Sequence, residues 1–311
     1  MMIVCCGEAL IDMIPQRYKG KDMLRPVEGG AVYNTSLALG RLGCSCALFS
    51  GISNDAFGDQ LIRKLHASGV DTSLIARSDR LTTLAFVNLV NGHASYTFYD
   101  DNSAGRMLSD NDSPTLSHEV SALYFGGISL INNPAADTYL AIAQREAEKR
   151  VIVFDPNIRP DFIANDKDYR ARIEAFFDIA DIIKMSDEDL EWFDNTPGNL
   201  TAKFLRIGRP DTALRILTKG GDGAMGILPN GDICSVSAKR VEVVDTVGAG
   251  DTFNAGVMAY LHEQGLLNKN RIGQLSKENT TQALRYGAAV AAVTVQHAGA
   301  EAPWKDDIPL D

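Results

Sequence analysis

Apolar positions along the chain fall into short unbroken runs, separated by longer stretches in which they recur every three or four residues. The runs at Met2–Cys6, Ala47–Gly51, Ala122–Phe125, Val151–Asp155, Asp181–Met185 and Leu214–Thr218 read as strands buried on both faces. Between most of them the spacing predicts helices over Tyr33–Arg41, Ala56–Ala67, Ala135–Lys149, Tyr169–Phe177 and Thr281–Val295, with two more over Ser186–Trp192 and Thr252–Gln264. Strand and helix in alternation predict an α/β fold with a parallel sheet covered on both faces. The interval Leu81–Tyr99 breaks this pattern. It alternates apolar and polar residues through Thr83–Val90, turns at Asn91-Gly92 and returns through Ala94–Tyr99, which is a hairpin signature. Set apart from the main sheet, together with the extended stretch around Ile14–Gly29, it predicts a small β-lid.

Composition narrows the class. The chain has 311 residues, 45% of them apolar, enough for one large α/β domain or two small ones. A formal charge of −10 argues against nucleic acid and anionic membrane as partners. No apolar run approaches the ~18 residues that would cross a bilayer, and the first strand begins at once without a basic leader, so neither a membrane span nor a signal peptide is expected. Cys5, Cys6, Cys44, Cys46 and Cys234 form an odd set in apolar, strand-like settings, and read as reduced, buried thiols of a cytosolic protein. The five histidines show no pairing at metal-ligand spacing, so a transition-metal site is not expected.

The segment Asp245-Thr246-Val247-Gly248-Ala249-Gly250-Asp251-Thr252-Phe253-Asn254-Ala255-Gly256 carries the sharpest chemistry. Gly248, Ala249 and Gly250 let the backbone turn and aim successive N–H groups into one concavity, and the helix that follows adds its positive end, so an anion is stabilised there. Asp251 would be the base of a phosphoryl transfer. The helix field is expected to lower its pKa, which a loose transition state tolerates because the attacking hydroxyl loses its proton late. The bland alternative is an N-cap, worth about 1 kcal/mol. The flanking glycines and Asp245 favour function.

Other constellations are weaker alone. Gly29-Gly30 feeds a helix that projects Asn34 from its first turn, as a ligand site or an ordinary loop-to-helix junction would. Asp12 closes an apolar segment and could accept two adjacent sugar hydroxyls, or form a turn. Asn157 and Arg159 follow a strand, where Arg159 could hold a phosphate in two-pronged fashion or pair on the surface. Gly221, Gly223 and Gly226 spell G-x-G-x-x-G, but a strand and a turn follow instead of a helix, which disfavours a nicotinamide oxidoreductase. No P-loop motif occurs. Ser186-Asp187-Glu188-Asp189 opens a helix with acids that suit its dipole, one or two of which could hold a hydrated Mg²⁺.

As a set these motifs resemble the ribokinase-like (PfkB) carbohydrate kinases, essentially from end to end. Gly29-Gly30 with Asn34, then Leu42-Gly43, Gly51 and Gly58-Asp59, look like that family's N-terminal signature, and Asp245–Asp251 matches its C-terminal one. The resemblance implies a single domain over 1–311, a three-layer α/β/α sandwich with a mainly parallel sheet, and lid segments at about 14–30 and 81–104. It implies ATP as donor, Mg²⁺ as cofactor and a sugar hydroxymethyl as acceptor. Asp251 is then the base, Gly248, Ala249 and Gly250 the anion hole, and Asn157 and Arg159 lie near the phosphates. Asp12, Gly29, Gly30, Asn34 and Phe98 belong to the sugar site, and Lys184, Thr218, Gly220, Gly223, Asn279 and Ala283 to the nucleotide site. The family's Mg²⁺-associated N-x-x-E appears as Ser186-x-x-Asp189. A monovalent-cation loop, implying potassium, would place Asp245 and Val247 opposite residues 297–300, where this chain is shorter than the ribokinase pattern. A homodimer through the lid is a further implication.

Within the family the chain looks most like bacterial fructokinases, through Gly7–Asp12 and Thr82–Val87. Phe98-Tyr99 leads into Asp100-Asp101 where many fructokinases carry an arginine, so an acidic substrate is disfavoured and a neutral sugar, D-fructose first, is expected. Ribose, a nucleoside, aminoimidazole riboside or 2-keto-3-deoxygluconate are the alternative acceptors. A sensor without turnover is the reading of another class, and the intact Gly248–Asp251 group argues against it.

Overall fold

A computed structural model describes residues 1–90 and 93–309, and the side chains of 88–96 are outside its scope. The Asn91-Gly92 turn of the sequence reading lies outside the described residues. In chain order the first elements are β1 (Met2–Cys6), β2 (Leu10–Tyr18), β3 (Lys21–Gly29), α1 (Ala31–Arg41), β4 (Cys46–Phe49), β5 (Gly51–Ser53), α2 (Ala56–Ala67), β6 (Ala76–Ser78), β7 (Leu84–Val90) and β8 (His93–Tyr99). Next come β9 (Val120–Gly126), α3 (Ala135–Glu146), β10 (Val151–Asp155), α4 (Asp166–Phe177), β11 (Ile182–Ser186), α5 (Asp187–Phe193) and α6 (Leu200–Phe204). The last are β12 (Leu214–Thr218), β13 (Ala224–Ile227), β14 (Ile233–Val236), α7 (Ala249–Glu263) and α8 (Lys277–Thr294).

Eight strands form the main sheet in the order β14-β13-β12-β11-β10-β9-β1-β4, parallel from β4 to β12 and antiparallel beyond. Its strands read as continuous apolar runs because both faces are covered: Ile3 to Cys6 and all of β10 are buried. One core, with Val32, Leu37, Val257 and Val290, lies under α1, α7 and α8. The other, with Tyr139, Ile173 and Phe176, lies under α3 and α4. A three-layer α/β/α arrangement results, as the alternation predicted. All five cysteines are free and buried. Among the described residues no helix is long and apolar enough to cross a membrane.

A second, four-stranded sheet runs β3-β2-β7-β8. Its β2–β3 hairpin was legible only as an extended stretch. Lys19 and Gly20 both take positive φ, 49° and 76°, which matches the right-handed twist of a two-residue hairpin turn. The strand expected over Ala47–Gly51 is divided after Phe49, and Gly51 begins β5, which pairs with β6 in a separate ribbon. A side chain at Gly51 would come within 2.1 Å of the Ala104 carbonyl oxygen, so the chain needs glycine where it changes partner. Helix α8 starts four residues before the predicted position because Ser276 and Asn279 form a capping box.

Candidate active site

The carboxyl ends of the parallel strands, the start of α1 and the start of α7 converge on Asp251. Helix α7 opens at Gly248, whose left-handed φ is 79° and which supplies no capping side chain to the first-turn N–H groups of Gly250 and Asp251. A Cβ on Gly248 would stand 2.5 Å from the Ala300 methyl, and the neighbouring Asp245 carboxylate accepts from the Gly299 N–H at 2.8 Å. Asp245 and Gly248 therefore meet Gly299 and Ala300. Val247 is half-exposed, and Asp245 Oδ1 accepts from its N–H at 3.1 Å.

Asp251 is the third residue of α7 and not its N-cap. The residue is 7% exposed, its carboxylate accepts from Asn34 Nδ2 at 2.9 Å, and Thr35 Oγ1 donates to its main-chain carbonyl at 3.2 Å. The expected lowering of its pKa is corrected by the structure. Burial is the largest influence, and with the nearby Asp155 carboxylate it pushes Asp251 up to about 7 against the opposing effects of Asn34, Lys184 and Arg159.

Behind Asp251 lies a polar network that joins Lys184, expected at the nucleotide, to Tyr124, Asp155 and Asn254, which sequence reasoning left without a role. Asp155 Oδ2 accepts from Lys184 Nζ at 2.9 Å and from Asn254 Nδ2 at 2.7 Å, and Asn254 Nδ2 also reaches the Tyr124 hydroxyl at 3.2 Å. Asp155, Lys184 and Asn254 are all buried. Burial opposes the Lys184 charge, but Asp155 and the other acids raise its pKa overall, so the ammonium persists. Its Nζ lies 3.5 Å from where a Gly250 side chain would begin, beside the helix start. The signal was present in sequence, since Asp155 closes an apolar run just as Asp12 does, and Asn254 follows Asp251 by one turn.

The expected sugar residues border the same region. Asp12 lies on β2, and burial pushes it up to about 6. A Cβ on Gly29 would approach its Oδ2 within 2.1 Å, so Asp12 folds over a glycine for steric reasons. Gly30, at φ 108°, is the N-cap of α1. Phe98 of β8 packs edge-on against Phe162, centroids 4.6 Å apart, just beyond Arg159. Asn157 has φ 44° and donates its N–H to Asp155 Oδ1 at 3.2 Å, while Arg159 Nη1 donates to the Ile158 carbonyl at 3.1 Å. Asp100 accepts from Thr83 Oγ1 and Ser103 Oγ, and Asp101 pairs with Arg106 at 2.7 Å. Each acid of the expected negative pair thus has a local partner.

On the other side, Thr218 ends β12 and Gly220 and Gly223 turn the chain toward β13; a Cβ on Gly223 would meet the Val236 carbonyl at 2.0 Å. A cleft beside this turn is lined by Lys219, Asp222, Ala224, Met225, Ser235 and Ser237. Two further residues expected at the nucleotide lie on α8. The Asn279 side-chain oxygen accepts from Ser276 at the start of α8, and Ala283 is fully buried in the core. Ser186 and Asp189 form a capping box on α5, and Asp189 Oδ1 also accepts from the Ile158 N–H at 2.9 Å. Burial and then Asp155 raise the pKa of Asp189. Among the described residues no group of three or more His, Cys, Asp or Glu side chains is placed to hold a metal directly.

An uncapped helix start beside a buried carboxylate, with a lysine and an arginine at hand, defines a phosphotransferase site on a parallel α/β sheet. The sequence profile of the pfkB family carbohydrate kinases matches residues 1–307, and the chain belongs to that family. It is 47% identical to a fructokinase of Rhizobium leguminosarum bv. trifolii over 289 residues, 92% of this chain and 86% of that relative. The fructokinase of Xylella fastidiosa solved with ATP superposes with a TM-score of 0.89 at 26% identity, covering 99% of this chain and 96% of that one. The fructokinase of Vibrio cholerae O395 solved with fructose, ADP and calcium gives 0.82 at 25% identity, over 96% and 94%.

Proposed function

We propose that the protein transfers the γ-phosphoryl group of ATP to the 6-hydroxymethyl group of D-fructose. The observation that carries the chemistry is the buried Asp251 carboxylate, held by Asn34 at 2.9 Å beside the uncapped start of α7. The fructose O6–H gives its proton to Asp251 as the oxygen bonds to the γ-phosphorus, and the bond to the β-phosphate oxygen breaks to release ADP. Charge spread over the transferring oxygens is stabilised by the 248–250 backbone, above all by the uncapped Gly250 N–H, with Arg159 and Lys184 beside it. Asp12, Gly29, Gly30 and Asn34 hold the sugar hydroxyls, and Phe98 with Asn157 closes the pocket edge. The four-stranded sheet serves as a lid, with segments 14–30 and 81–104, on a single domain 1–311.

The choice of fructose rests on the 47% identity to the Rhizobium fructokinase, and is supported by the fructose and ATP held by the Vibrio and Xylella enzymes. Mg²⁺ would bind through water. Burial and then the Asp155 charge raise the pKa of Asp189, and carboxylates that feel one another in this way suit a hydrated dication that needs few protein ligands. When bound, it would neutralise phosphate charge. A potassium ion would be held at Asp245 and Val247, against residues 297–300. ADP release from MgATP with D-fructose, D-ribose, adenosine, aminoimidazole riboside and 2-keto-3-deoxygluconate tests the reading. Selective turnover of fructose is expected; selective turnover of another acceptor would move the specificity, and none at all would favour a sensor.

A further inference from the structure

Glu8 belongs to none of the groups above, yet its carboxylate joins three segments at the carboxyl ends of β1 and β9. Oε1 accepts from the N–H of Ala31 at 2.8 Å and of Val32 at 3.4 Å, the first two residues of α1, and Oε2 accepts from the N–H of Ser129 at 3.3 Å. Ser129 stands in the short turn after β9. Glycines surround the carboxylate for want of space. A Cβ on Gly127 would lie 2.3 Å from Oε1, and one on Gly30 would lie 2.9 Å from the Glu8 carbonyl oxygen. Helix α1 has no cap of its own at Gly30, so Glu8 supplies from outside what an N-cap side chain normally supplies from within.

One turn further along α1, Asn34 reaches Asp251 Oδ2 and Thr35 reaches the Asp251 carbonyl. The orientation of the first turn of α1 therefore decides whether the amide meets the base. Resting on the function proposed above, we infer that Glu8 is a positioning residue for phosphoryl transfer: it locks the start of α1 onto the turn after β9 and so holds Gly30 at the sugar and Asn34 on Asp251. Burial raises the Glu8 pKa, and hydrogen bonds from its own backbone, the Ser129 hydroxyl and the N–H groups of Val32 and Ser129 offset only part of that rise. An isosteric amide would keep the shape of the side chain and lose the charge that α1's positive end favours.

The test uses E8Q and, independently, A31P. Proline is well accommodated at the first helical position, so A31P removes the strongest donor to Glu8 while leaving α1 intact. The readout is the carboxyl ¹³C titration of Asp251, assigned with D251N, in wild type, E8Q, A31P, N34A and E8Q/N34A, without substrate. Asp155, Lys184 and Arg159 also face Asp251 and are unaltered in every variant. Loss of the Asn34 bond disfavours the charged form, so the Asp251 midpoint should rise in E8Q and A31P, and E8Q should add nothing in the N34A background. In turnover, E8Q should lower kcat/KM for fructose by about 10–100-fold alone, as an ångström-scale misplacement does, and by under ~3-fold beside N34A. An Asp251 midpoint that stays at the wild-type value in folded E8Q and A31P would overturn the inference. Failure of wild type to phosphorylate fructose would defeat the proposed function instead, and the titration would still decide the role of Glu8.

Discussion

Asn34 and Asp251, 217 residues apart in sequence, are joined by a 2.9 Å hydrogen bond from the amide Nδ2 to the carboxylate Oδ2. The bond ties the first turn of α1 to the first turn of α7, the two helix starts that frame the candidate site. Because the amide donates to the charged carboxylate, it holds down a proton affinity that burial drives up.

The acid limb of activity follows from that balance. As a base, Asp251 must be unprotonated, so kcat/KM for the sugar should rise with pH through a midpoint near the value of about 7 to which Asp251 is pushed. In N34A the midpoint should move upward. A pH–rate profile of both proteins checks this, and a flat profile between pH 5 and 8 would remove Asp251 from the rate equation.

Asp251→Asn keeps the size of the side chain and removes the base. We expect kcat to fall by about 10²–10⁴-fold, the usual worth of general base catalysis, with the ATP dissociation constant within a few-fold of wild type. Turnover at the wild-type rate would require another proton acceptor.

Gly29→Ala drives a methyl into the Asp12 carboxylate, whose Oδ2 would be only 2.1 Å away. Asp12 must then move. The sugar KM should rise by about 10-fold or more with the ATP KM little changed, and steady-state kinetics with each substrate varied in turn separates the two. An unaltered sugar KM would place Asp12 outside the pocket.

Asp155→Ala leaves the Lys184 ammonium buried without its 2.9 Å partner. Removing one member of such a pair is expected to destabilise the fold by about 3–5 kcal/mol, measured by urea unfolding. Replacing both residues with apolar ones should restore much of the loss, because the charge that lacks a partner is then gone too.

The sheet was legible because its strands are buried on both faces: β1, β10 and β12 match the predicted runs residue for residue. Helix α2 does so as well, being bounded by Asp55, which accepts from the Gly58 N–H at 2.8 Å. The start of α8 was misplaced by four residues, because its Ser276 and Asn279 capping box lies ahead of the apolar pattern. In the site, the chemistry of Gly248–Asp251 could be read from local sequence, but its electrostatics could not. The pKa of Asp251 depends on Asn34, Asp155, Lys184 and Arg159, which come from three other parts of the chain. Glu8 was equally invisible, since its partners at 31, 32 and 129 are set by tertiary packing.

The strand order also bears on how the chain acquires its shape during synthesis. Strand β1 emerges from the ribosome first, yet it ends up between β4 and β9. Its pairing with β4 can form once Phe49 has been made, but the opposite edge has no partner until the chain has grown through Gly126. Until then the nascent protein presents an open row of backbone donors and acceptors flanked by apolar residues, the kind of surface that holdase chaperones shield.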